Sequence, residues 1–159
     1  MIRLHGTMKD LVAQMVEIAN VHVSPKRGGG WFTVAYADVK QPLRFHTIER
    51  IGSFSVDKDK LYRDRAQEKA RRLHNHPEHK TSRESRNESR GQYGGAIRAC
   101  KDDQSYIFSF SGFPEIWDEA FMLFLALNFN YIQTDEVIAI ANEEGHELTE
   151  CLRKLRRSL

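Results

Sequence analysis

From His74 to Gln92 the chain is almost free of aliphatic residues, reading His-Asn-His-Pro-Glu-His-Lys-Thr-Ser-Arg-Glu-Ser-Arg-Asn-Glu-Ser-Arg-Gly-Gln. Such a segment cannot bury enough apolar surface to offset its ordering entropy. The core must therefore come from the stretches on either side, and the segment itself is expected to be a long mobile loop. With 159 residues, 40% of them hydrophobic and 10% aromatic, those flanks hold enough apolar material for one domain.

On the N-terminal side, Thr7 with Asp10 three residues on resembles a capping box, and Met8, Leu11, Val12, Met15, Ile18 and Ala19 recur at helical spacing. A helix over Thr7 to Asn20 follows. Ser24-Pro25-Lys26-Arg27-Gly28-Gly29-Gly30 cannot continue it and reads as a flexible connector. The aromatic and β-branched run Trp31 to Tyr36 predicts a strand, and the turn chemistry of Asp38 to Pro42 leads to a second over Leu43 to Ile48, paired as a hairpin. Tyr62, Ala66, Ala70 and Leu73 mark one face of a helix over Lys58 to Leu73, whose small alanines let it lie close on a sheet.

Beyond the polar segment, Gly95 to Cys100 and Ser105 to Phe110 flank the Asp-rich reversal Lys101 to Gln104 and predict a second hairpin. Pro114 suits a first helical turn, and Glu115, Asp118 and Glu119 complement the positive end of the helix dipole. Ala120 to Leu127 is apolar on every side and belongs in the core. Thr134-Asp135-Glu136 caps a short helix through Ala141, although Val137 to Ile140 is equally strand-like by composition. Leu148, Cys151, Leu152 and Leu155 recur at helical spacing, with Arg153, Lys154, Arg156 and Arg157 toward the C-terminal end. The fold class is α+β, an antiparallel sheet of four to five strands flanked by helices in the order α-β-β-α-β-β-α plus C-terminal helices.

Ala120 to Leu127 is far shorter than the roughly 18 to 20 apolar residues a bilayer span requires, so no membrane partner is expected. The N-terminus carries Arg3 and His5 without an apolar stretch and cleavage site, which points to a cytoplasmic location. There, Cys100 and Cys151 are expected to be reduced and structural. Basic residues number 24 against 22 acidic, a net charge of +2, which argues against a dedicated nucleic-acid-binding face.

Three local patterns resemble the GlcG-like and HbpS-like family of haem-degrading or haem-binding domains. They are Val34-Ala35-Tyr36-Ala37-Asp38-Val39, Asp64-Arg65-Ala66-Gln67-Glu68-Lys69-Ala70, and Ser111-Gly112-Phe113-Pro114-Glu115-Ile116-Trp117-Asp118-Glu119-Ala120. The resemblance covers roughly Thr7 to Leu127 within a domain of residues 1–127, leaving 128–159 as a helical extension packed on the same domain. It implies a profilin-like or PAS-like sheet, a homo-oligomer, and haem or a related tetrapyrrole as ligand.

Ser111, Gly112 and His74 are the candidate ligand-binding residues. His74, His76 and His79 are candidate metal ligands, because neutral imidazole binds zinc, nickel, copper and haem iron. The plainer reading of the histidines is a solvated helix end stopped by Pro77. Arg83, Arg86 and Arg90 suit an anion surface, but Glu78, Glu84 and Glu88 interleave with the basic residues as in a solvated loop. Phe108, Phe110, Phe113, Trp117, Phe121, Phe124 and Phe129 are either core or the lining of an aromatic pocket, which a facing His22 or His46 would favour. No nucleophile elbow, P-loop or dinucleotide fingerprint occurs. The leading expectation is a non-enzymatic small-ligand-binding module. The competing one is a scaffold that binds a macromolecule through its C-terminal helix and polar loop, and the third is metal-dependent chemistry at the histidines.

Overall fold

Thr7 caps the first helix as its sequence predicts: its hydroxyl accepts from the Asp10 amide at 3.3 Å, and the Asp10 carboxylate accepts from the Thr7 amide at 2.8 Å. The computed structural model describes residues 6–38 and 40–159; the reading of Arg3 and His5, and Val39 in the first family pattern, lie outside the described residues. Helix α1, Met8–Asn20, buries Leu11, Val12, Met15, Val16 and Ala19 along one stripe.

Strands β1 (Gly29–Tyr36) and β2 (Arg44–Gly52) form the expected hairpin, with a bulge between Val34 and Ala35. The glycine run is not the flexible connector its composition predicts, since Gly29 and Gly30 open β1. A Cβ at Gly30 would lie 2.2 Å from the Ser111 carbonyl oxygen, and one at Gly29 would lie 2.0 Å from that of Ile51. Close approach of three backbones is what requires glycine here.

Helix α2 spans Val56–His74 and packs on the sheet through Ala66, Ala70 and Leu73. Strands β3 (Ala96–Lys101) and β4 (Gln104–Ser111) pair through a two-residue turn in which Asp102 and Asp103 take φ of 53° and 62°. Positive φ at both central residues is the type I′ geometry that matches strand twist. Three helices follow: α3 (Glu115–Asn128), α4 (Thr134–Glu144) and α5 (His146–Ser158). The strand-like Val137 to Ile140 is helical because Gln133 and Glu136 form a capping box, and Val137, Ile140 and Ala141 then share a buried face.

The sheet is antiparallel with order β2-β1-β4-β3. Helix α2 covers one face, against Ala96 and Ile107; α1 and α3 cover the other, against Phe32, Val34, Phe108 and Phe110. Helices α4 and α5 add Val137, Ile140, Leu148 and Leu155 to that second core. The α+β class and the element order are those the sequence predicts. No helix among the described residues is long and apolar enough to cross a membrane.

The aliphatic-poor segment departs from expectation, because it is folded. It carries two short 3₁₀ turns, Ser82–Ser85 and Glu88–Arg90, and a bridge from Thr81 to Ile97. Two guanidinium groups replace the absent apolar contacts. Arg72 donates to Glu68, to the Ser82 and Tyr93 carbonyls and to the Ser85 hydroxyl, while Arg98 donates to the carbonyls of Leu73, His76 and His79. Hydrogen bonds from charged donors, at about 1.5–3 kcal/mol each, order a chain that hydrophobic burial cannot.

Candidate functional site

Strand β4 ends at Ser111, and Gly112 turns the chain toward α3 so tightly that a Cβ there would lie 2.2 Å from the Gly29 carbonyl oxygen. The turn brings the Phe113 amide to Asp118, to which it donates at 2.9 Å. From the opposite face of the sheet, Lys69 of α2 reaches the same point. Its ammonium donates to Asp118 Oδ2 and to the Phe110 carbonyl, each at 2.9 Å. Both side chains of this ion pair are only 2% exposed. Gly95, at φ +126°, closes over it, and a Cβ there would lie 2.7 Å from Lys69 Nζ.

Taking two charges out of water costs several kcal/mol per ion, offset only when geometry and additional hydrogen bonds are good. Here the carbonyl of Phe110 and the amide of Phe113 supply those bonds. Burial nonetheless pushes the Asp118 carboxyl up to about 6, against the lowering exerted by the Lys69 ammonium and the amides. Perturbed acids gather at functional sites and in structural ion pairs alike, so the cleft beside this pair decides what it can do.

That cleft has a volume of 170 Å³ and is walled by Tyr62, Arg65 and Lys69 of α2, by Arg27 and Tyr93, and by the Ser111 to Glu115 turn. Its two acids are already engaged: Asp118 by Lys69, and Glu115 by Arg86, whose Nε donates to both carboxylate oxygens at 2.7 and 3.0 Å. Arg27 and Arg65 have no ion-pair partner among the described residues. The Arg65 guanidinium lies 5.2 Å from the centre of the Tyr93 ring, which steadies it at the cleft wall. The cleft is thus electropositive.

Of the three candidate ligand residues, Ser111 and Gly112 line this cleft, whereas His74 does not. His74 is the last residue of α2, and its Nε2 lies 2.8 Å from the Gln41 carbonyl oxygen. The residues present do not fit haem in the cleft: 170 Å³ is below the roughly 300 Å³ at which pockets for drug-sized ligands begin. No imidazole lines it either. Phe108, Phe110, Trp117, Phe121 and Phe124 are buried core residues, with His22 stacked on Trp117 at 5.8 Å. His46 is exposed on β2. Of the candidate metal ligands, His76 and His79 come together with Glu78, and His74 stands apart at Gln41. Cys100 and Cys151 are both free.

Sequence reasoning missed a second buried acid cluster. Glu119 of α3 is 1% exposed and faces Glu144 at the end of α4 closely enough to hydrogen-bond. Thr81 donates to Glu144 Oε1 at 2.8 Å, and Arg83 lies 3.8 Å from its Oε2. Burial and the facing Glu144 carboxyl raise Glu119 well above the usual carboxylate range. Comparison with protein families, with curated proteins and with solved structures finds no match.

Proposed function

We propose that this protein is a small-ligand-binding module, of the kind its resemblance to GlcG-like and HbpS-like domains implies, whose ligand is a small carboxylate or phosphate rather than a tetrapyrrole. One observation carries the reading: the only cations of the cleft without an acidic partner among the described residues, Arg27 and Arg65, flank a buried, already neutralised Lys69–Asp118 pair. The fixed pair shapes the floor and the two guanidinium groups supply uncompensated charge, with forked donors suited to carboxylate or phosphate oxygens. Tyr62 and Tyr93 add apolar ring surface beside them.

The alternative of a scaffold using its C-terminal helix has less surface to work with, because Leu148, Cys151 and Leu155 of α5 are buried in the domain's own core. Isothermal titration with inorganic phosphate, succinate and benzoate tests the proposal. Saturable binding of at least one is expected, lost in the Arg27→Gln/Arg65→Gln double variant, whose substitutions lie outside the core. No binding by any probe, or binding indifferent to both arginines, overturns it. Haemin is expected to give no saturable Soret shift; a shift would return the reading to the tetrapyrrole the resemblance implies. Self-association, part of the same proposal, is read by light scattering.

A further inference from the structure

The turn after α2 brings together a set of side chains independent of the cleft. His76-Pro77-Glu78-His79 is a hydrogen-bonded turn, the His79 amide donating to the His76 carbonyl at 2.9 Å, with proline at the position its fixed φ suits. The Arg98 guanidinium clamps the turn, donating to the His79 carbonyl at 3.1 Å and to that of His76 at 3.2 Å. On this clamped backbone His76 Nδ1 and His79 Nε2 each lie 3.5 Å from the same atom, Glu78 Oε1.

These separations have a coordination-chemical meaning. Bonds of about 2.1 Å to a tetrahedral ion put neighbouring donor atoms about 3.4 Å apart. One donor atom from each residue falls within 4.8 Å of the other two.

We propose that His76, Glu78 and His79 form a binding site for a divalent transition-metal ion, zinc being the best fit to two imidazoles and a carboxylate. Three protein ligands leave the fourth position open to water or a ligand. The two imidazole rings stack at 4.7 Å with planes 12° apart, so both cannot aim a lone pair at one ion until they turn. Both residues are partly exposed, and rotamer changes of that kind are fast. The Arg98 clamp holds the backbone while the rings reorient. His74 takes no part, because its Nε2 is engaged by the Gln41 carbonyl.

The test is a zinc titration of the tag-free full chain by calorimetry with a competing chelator. One zinc per chain is expected, with affinity falling at least tenfold in each of His76→Ala, Glu78→Gln and His79→Ala, tenfold being the lower end of what outer-shell substitutions alone cost. His74→Ala should bind as the parent chain does. Imidazole ¹⁵N shifts of the unsubstituted protein give a readout that needs no variant, and zinc should move those of His76 and His79 alone. No saturable binding, binding that survives His76→Ala/His79→Ala, or shifts centred on His74 would each overturn the assignment.

Discussion

Asp118 and Glu119 are consecutive residues in the opening turns of α3, and the sequence assigns both the same task of complementing the helix dipole. In the folded chain both are buried and they meet opposite partners. Asp118 faces a lysine and the Phe113 amide of the β4–α3 turn, so its oxygens have donors. Glu119 faces another carboxyl, and its Oε1 and Oε2 of Glu144 have no donor from the rest of the described chain. Burial raises both acids. The Lys69 ammonium restrains the rise at Asp118 to about 6, while the Glu144 carboxyl adds to it at Glu119. The first site is a fixed ion pair; the second is two acids that share a proton when the pH allows. One helix thus anchors the cleft on one side and a protonation-dependent contact on the other.

The sharpest way to break the contrast is to remove the ammonium. Lys69→Met leaves Asp118 buried without its counter-charge, and stability at pH 7 should fall by about 3–5 kcal/mol, the usual cost of stranding one member of a buried pair. Lys69→Met/Asp118→Leu, which removes both charges, should recover most of that loss. Denaturant titration of the three chains measures it. A double variant no more stable than the single one would mean that the pair's packing, rather than its charge balance, holds the cleft together.

Glu119→Gln works in the opposite direction. A group whose folded pKa lies above its unfolded value contributes stability that is full below the unfolded value and lost as pH rises through the folded one. The parent chain should therefore weaken from about pH 4 to 6 as Asp118 ionises, and should lose the Glu119 contribution as pH rises through that group's own raised value. The amide keeps the shape, carries no titrating proton and offers Glu144 a permanent donor. The variant should be more stable at pH 8, by about 1–3 kcal/mol, the scale of an unsatisfied buried polar group. It should show little change at pH 4, with the Asp118 window intact. Unfolding curves from pH 4 to 9 decide it, and a variant weaker than the parent at pH 8 would remove the proton-sharing description.

Part of this was legible in the residues. Helical periodicity, Thr7 with Asp10, and the Asp102–Asp103 reversal specify local structure directly, so elements and order could be read. Lys69 was legible too, since Tyr62, Ala66, Lys69 and Leu73 fall on one face of α2. A lysine within an apolar stripe needs a buried partner, and that inference was there to draw. Its partner was not, because Asp118 lies 49 positions away and looks like any acid at a helix start. Composition misled at the glycine run, where close backbone approach and flexibility require the same residue. It misled again in the polar segment, where Arg72 and Arg98 supply from outside the contacts that its own residues lack. The convergence of His76 and His79 on Glu78, and the departure of His74, depend on a turn whose clamp comes from β3.

Thr81 gives the finest adjustment of the contrast. Its hydroxyl is the one hydrogen-bond donor to Glu144 from the polar segment, at 2.8 Å, and the residue is 1% exposed. Thr81→Val keeps the shape and deletes that donor, which should cost about 1 kcal/mol. The direction with pH is the informative part. The hydroxyl favours the ionised pair and holds Glu119 lower than it would otherwise stand, so its loss should move the upper stability window to higher pH. The deficit should accordingly be larger at pH 8 than at pH 4, and it should vanish in the Glu119→Gln background if the hydroxyl acts only through the shared proton. A deficit that is the same at every pH and in both backgrounds would assign Thr81 to the folding of the polar segment alone, and would separate that segment from the acid pair beneath it.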